Sequence, residues 1–148
     1  MTENPMTENR DEIRGENRAA DKAAIEAVLV ASYKAWDAGD AEAMVADYTE
    51  DATAIMTGSL RGSRDVIRDS MAQAFDGPLK ATSTYNRQLS LRFIGRDAAI
   101  VVAESAILFG GQTEAPDAAK VNATWVFEKR DGRWLIAAYH NSPVFAAA

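Results

Sequence analysis

Residues Lys120–Val144 read KVNATWVFEKRDGRWLIAAYHNSPV. Two apolar runs flank Asp131-Gly132. Asp-Gly is the strongest short hairpin signal, because both residues accept the positive φ that a tight turn between strands requires. The stretch therefore predicts two long antiparallel strands. It carries two of the chain's three tryptophans and its single histidine. A hairpin this aromatic needs cover, and the residues before it supply helices and more strands.

Apolar residues recur at helical spacing over Asp21–Ala38: Ala24, Ile25, Val28, Leu29, Tyr33 and Trp36, with Ser32 on the same face. Asp21 suits the start of this helix and Gly39 its end. Asp40 caps a short second helix that turns Met44, Val45 and Tyr48 inward. Ala52–Thr57 is a short strand and Gly58–Gly62 a turn. Ser63 opens a third helix with Ile67, Met71, Ala74 and Phe75 on one side, stopped at Asp76-Gly77-Pro78 because proline cannot continue a helix. Thr82–Ile94 alternates, with Leu89, Leu91 and Phe93 on one face and Gln88, Ser90 and Arg92 on the other. Ala98–Phe109 is an apolar strand interrupted by Glu104 and Ser105, and Gly110–Ala118 is a loose loop.

Helices followed by antiparallel strands make an α+β domain. A sheet curled around a long helix leaves a cavity where the two diverge. Residues 1–17 are polar and read as a flexible arm, and 18–146 as one domain. The 148 residues, 47% apolar, suffice for a real core. A net charge of −6 speaks against nucleic acid and anionic membranes as partners. There is no cysteine, no long apolar span and no signal-peptide pattern, so a cytoplasmic location is the expectation. One histidine without a carboxylate pattern is a poor metal-ligand set. Neither a phosphate loop nor a dinucleotide fingerprint is present, and no cofactor is expected.

The segment AWDAGDAEAMVADYTEDATAI resembles the helix–helix–strand signature of the SnoaL-like, or nuclear-transport-factor-like, superfamily of cone-shaped α+β domains. Trp36, Gly39-Asp40, Met44, Tyr48 and Asp51-Ala52 carry the match. The last hairpin is similar to that of the association domain of calmodulin-dependent kinase II. Within the superfamily the nearest resemblance is to SgcJ/EcaC-type proteins, some associated with enediyne antibiotic biosynthesis. The resemblance spans roughly residues 20–145. It implies a cone of helices on a curved, mainly antiparallel sheet around a pocket, and a homodimer through the outer sheet face. Steroid isomerases of this fold use an aspartate base and a Tyr/Asp oxyanion hole. Their three positions fall on Ser32, near Met56 and near Ala123, so that mechanism is not kept. Where the kinase hub has cavity arginines, Trp125 and Asn141 stand here.

Strand alternation groups Leu135, Ala137, Tyr139 and Asn141 on one face of the last strand and Trp134, Ile136, Ala138 and His140 on the other. The hub resemblance points the first group into the cavity, joined by Trp125 and Phe127, and leaves His140 and Trp134 outside. Residue pattern alone leaves open whether Asn141 or His140 lines the pocket. Tyr33 and Trp36 on the long helix are core residues that can also form its wall, and Met44 and Met71 suit an adaptable wall or ordinary core. Three residues are candidates for proton transfer. Glu104 interrupts an apolar strand and is either a paired acid–base group, with Arg87 or Arg92 as partner, or a solvent-facing edge residue. His140 is the one side chain of a type whose unperturbed pKa lies near neutrality, which suits a general base, yet a lone strand histidine is also an ordinary packed or interfacial residue. Tyr139 can donate a proton or simply pack. The expected function is binding of a small, largely apolar molecule, of polyketide or polyene type, by an accessory carrier or a cyclase/isomerase-like protein. The alternative is a scaffold whose cone is filled by Trp36, Trp125 and Phe127.

Overall fold

The computed structural model of the protein describes residues 5–145, with side chains from residue 18 onward. The flexible arm expected over residues 1–17 lies outside the residues described with side chains. Helix α1 spans Pro5–Asp37, α2 Ala41–Met44 and α3 Arg64–Asp76. Strands β1 (Tyr48–Met56), β2 (Ser59–Arg61), β3 (Ser83–Ile94), β4 (Ala98–Leu108), β5 (Val121–Arg130) and β6 (Arg133–Pro143) form one sheet. Its order is β2-β1-β6-β5-β4-β3. β1 runs parallel to β6, and the other pairs are antiparallel. The α+β expectation is met.

Local chemistry sets the element ends. Asp131 and Gly132 sit at φ 51° and 77°, the paired positive φ that the hairpin sequence demands. Gly39, at φ 65°, closes α1, and its N–H reaches Trp36 O at 2.8 Å. The Asp40 carboxylate accepts from the Ala43 N–H at 3.0 Å, and Ser63 Oγ accepts from Val66 N–H at 3.2 Å, so both caps act as read.

Four readings are corrected. Asp21 does not start α1: it lies inside the helix, and its carboxylate accepts from Trp134 Nε1 at 2.9 Å and Lys129 Nζ at 3.2 Å. Tyr48 is not on the short helix but begins β1, where it is buried. The Gly58–Gly62 turn contains strand β2, folded back on β1 with Gly58 at φ 76°. Leu89 does not share the face of Leu91 and Phe93. A bulge between Gln88 and Ser90 shifts the β3–β4 register, and Leu89 is left half exposed.

A second bulge has the largest consequence. Val126 pairs with Ala138, but Phe127 pairs with Ile136, so Ala137 is an extra residue in β6. The phase of alternation reverses there. Trp134 and Ile136, expected on the outer face, are buried on the inner face, and beyond the bulge partly buried Tyr139 and Asn141 line the cavity on that same face.

The core lies between the inner sheet face and the helices. Ile25 and Leu29 of α1 and Ile67, Met71 and Phe75 of α3 meet Val101, Phe127, Trp134 and Ile136. Small buried residues, Ala52, Ala54, Ala99 and Ala123, contribute to the inner sheet face between these large side chains. Phe93 packs on Trp134 with ring centroids 5.9 Å apart, and the Arg18 guanidinium lies 4.2 Å above the Phe93 ring.

Asp21 ties α1 to the hairpin. Burial raises its pKa, but the bonds from Trp134 and Lys129 and the charges of Lys129 and Arg18 outweigh burial and leave it below the ordinary 3.8. A carboxylate with a depressed folded pKa stabilises above its unfolded pKa and loses that effect as pH falls through the folded one. Asp21→Asn is therefore expected to lose about 1.5–3 kcal/mol at neutral pH. Urea unfolding at stepped pH should show the gap from wild type closing below pH 3.8; a gap independent of pH would contradict the charge-based tie.

Candidate functional site

Where α1 and the sheet part, a partly open cavity of about 360 Å³ remains. That lies at the lower end of small-molecule sites, roughly 300–1,000 Å³. Tyr33 and Trp36 of α1 form one wall, and Trp125 and Tyr139 of the hairpin form the other. Met44, Met56 and Met71 supply soft apolar surface. Ile107 and Phe109 at the end of β4 and Val121 at the start of β5 line it further.

The aromatic wall is a stacked unit. Trp125 and Tyr139 are directly opposed across β5 and β6, with centroids 4.3 Å apart and planes tilted by 44°. Tyr33 meets Trp125 edge-on at 6.4 Å. The indole N–H of Trp125 is buried without a hydrogen-bond partner. Trp36 is held from behind: its Nε1 donates to Thr82 Oγ1 at 3.0 Å, and Thr82 donates to Leu79 O at 2.7 Å.

Polar groups sit as isolated handles in this surface. Asn141 Nδ2 donates to the Tyr139 hydroxyl oxygen at 2.8 Å. The Tyr139 O–H and the Asn141 carbonyl remain free to meet a ligand acceptor and donor. On the β3–β4 side, Ser105 Oγ donates to Asn86 Oδ1 at 2.9 Å and Asn86 Nδ2 to Thr84 Oγ1 at 2.8 Å. Burial pushes the Tyr139 hydroxyl above its ordinary pKa, only partly opposed by the Asn141 bond. Tyr33 is pushed up to about 12 by burial and by Tyr139. Tyr48 is raised as well, by burial first. These phenols are neutral donors at physiological pH.

Of the residues singled out in the sequence, the structure brings Tyr33, Trp36, Trp125, Tyr139 and Asn141 together on the cavity. Three do not belong to it. Phe127 is fully buried in the core beneath the wall, because β5 carries it toward Ile136 and the helices. His140 is exposed on the outer face, opposite Thr124 and Ile55. Glu104 also points outward, because Ser105 takes the inward position. It is ion-paired there, 3.6 Å from Arg87 and 3.9 Å from Lys120, and accepts from the Tyr85 hydroxyl at 3.3 Å. Among the described residues, no aspartate, glutamate or histidine lines the cavity.

Sequence reasoning missed Arg61, Tyr48 and Asn86. Arg61 and Tyr48 were misplaced because β1 and β2 extend beyond the predicted strand. The signal was present in TAIMTGSLR, where Gly58 permits a two-residue hairpin turn.

Fold and site together define a cone-shaped α+β domain with an apolar, aromatic-walled pocket. Residues 25–146 match the SnoaL-like domain, and the chain belongs to that family. Comparison with curated protein sequences gives no match. Among solved structures, a Nostoc punctiforme domain of unknown function with a cystatin-like fold is 27% identical, covering 86% of this chain and 79% of that one, with a TM-score of 0.79. A putative calcium/calmodulin-dependent protein kinase type II association domain from Thiobacillus denitrificans is 18% identical, covering 81% and 94%, with a TM-score of 0.70. The LinA-type3 hexachlorocyclohexane dehydrochlorinase of Novosphingobium barchaimii is 17% identical, covering 88% and 91%, with a TM-score of 0.74. The last two share the fold with this chain.

Proposed function

We propose that the protein binds a small, largely apolar molecule of polyketide or polyene type in the cone, as a cytoplasmic carrier in secondary metabolism of the kind served by SgcJ/EcaC-type proteins. The carrying observation is the cavity wall: aromatic and thioether surface with isolated polar groups and, among the described residues, no carboxylate or imidazole. Such a wall recognises a planar apolar body with a carbonyl or hydroxyl. It offers no carboxylate or imidazole base for the proton shuffling of a cyclase or isomerase. Tyr139 and Asn141 orient the ligand. The open cavity also speaks for binding over a scaffold, since Phe127 packs below the cone rather than filling it.

The same reading includes a homodimer through the outer sheet face. Partly exposed Ile100, Val126 and Ala138 form one apolar cross-strand row there. Sedimentation velocity tests it, and a monomer at all concentrations would remove it.

Tryptophan fluorescence tests the binding claim. Titration with β-ionone and with acetonaphthone should give saturable quenching. Asn141→Ala should weaken it on the order of tenfold, the cost of one unmet polar contact. His140→Ala should leave it unchanged. The reverse ranking, or no saturation with either compound, would sink the proposal.

A further inference from the structure

The cavity wall holds a single charged side chain among the described residues, Arg61. Strand register puts it there. Arg61 pairs with Ala54 on β1, and Ala54 pairs with Tyr139 on β6. Directly opposed residues share a sheet face, so all three side chains point into the cone. Ala54 contributes only a methyl group. The guanidinium and the Tyr139–Asn141 pair therefore flank one open floor.

Arg61 has little to hold it. Nη1 donates to Met71 Sδ at 3.1 Å, and a thioether is a weak acceptor. No carboxylate of the described residues lies within 4.0 Å of it. The two carboxylates of strand β1 are engaged elsewhere: Glu50 lies on Arg64, and Asp51 on Arg130. A guanidinium offers five N–H donors, and leaving them unmet in a half-buried apolar site is costly. Among the described residues most other arginines are tied to carboxylates near the surface.

We propose that the ligand is an apolar organic monoacid whose carboxylate docks on Arg61, with its body against Trp125, Met44 and Ile107. This deepens the preceding reading and rests on the cone being a ligand site. A carboxylate matches the guanidinium fork with two parallel hydrogen bonds. A phosphate is disfavoured, because the wall supplies no second cation and the protein's net charge is −6. Tyr48 and Ser32 line the cavity together with Arg61 and add neutral hydroxyls to it.

Isothermal titration at neutral pH with naphthoate and its neutral counterpart acetonaphthone tests this. The wild type should bind the acid on the order of tenfold more tightly or better, as expected of charge-assisted hydrogen bonds. Arg61→Met should erase the preference while keeping ketone affinity within about threefold. Equal binding of acid and ketone by the wild type would overturn the role of Arg61 while leaving the cone a ligand site. So would an acid preference that survives in Arg61→Met. Failure of both probes to bind would overturn the cone reading, and this proposal with it. If Arg61→Met does not fold, the acid-to-ketone ratio of the wild type decides.

Discussion

Phe127→Ala should lower the unfolding free energy by about 3–5 kcal/mol, the range for deleting a fully buried aromatic ring. Phe127 is completely inaccessible and sits on β5, with β4 on one side and β6 on the other. It pairs with Ala99 and Ile136, and the helices close over it through the cluster containing Ile25 and Leu29. The cavity left behind has walls fixed by backbone hydrogen bonds on both sides, so it can collapse only partly. For a domain of this size the melting temperature should fall by roughly 10–16 °C. Leu89→Ala is the control. Leu89 is 50% exposed at the β3 bulge, and its loss should stay within about 0.5 kcal/mol. Thermal unfolding of both variants by circular dichroism gives the comparison. A small effect at Phe127, or a large one at Leu89, would mean that the strands are phased differently from the register described.

The same register explains which parts of the molecule the sequence announced. Asp131-Gly132, Gly39-Asp40 and Ser63 announced their turns and caps, because each depends on a backbone need that few residues meet. The α1 face could be read because helical spacing places Ile25, Leu29, Ser32 and Trp36 together without help from distant residues. Strand faces could be read only up to the first bulge. The run WLIAAYHN carries large inward residues at Trp134, Ile136 and Tyr139, a spacing that changes phase across the two small alanines. The shift was written there, but simple alternation was carried straight through it. That is why Trp134 was placed outside, and why Tyr139 and Asn141 were placed inside by resemblance to the hub hairpin rather than by counting along the strand.

Glu104 shows a different limit. A carboxylate in an apolar run signals a partner, and Arg87 was among the partners expected. Which side of the sheet the pair occupies depends on Ser105 and the β3–β4 register, which spacing within one strand cannot supply. Arg61 shows a third. Its position follows from a short strand flanked by glycines, and the same glycines made the segment read as a turn. The aromatic cavity wall was legible, whereas the lone charge within it was not.

Ala54→Trp should abolish ligand binding while the fold persists. Ala54 lies between Arg61 and Tyr139 on the cavity floor, and an indole there would occupy the space in which a ligand would stack on Trp125. The cavity offers about 360 Å³, so the new ring has room, and overpacking should cost no more than about 1–3 kcal/mol. That is less than the roughly 5–15 kcal/mol that keeps a domain folded. The direct measurement is isothermal titration of acetonaphthone into wild type and Ala54→Trp, with circular dichroism confirming that both are folded. Saturable heat in the wild type and none in the folded variant is the expected result. Equal binding by the two proteins would place the ligand outside the cone and contradict the central claim.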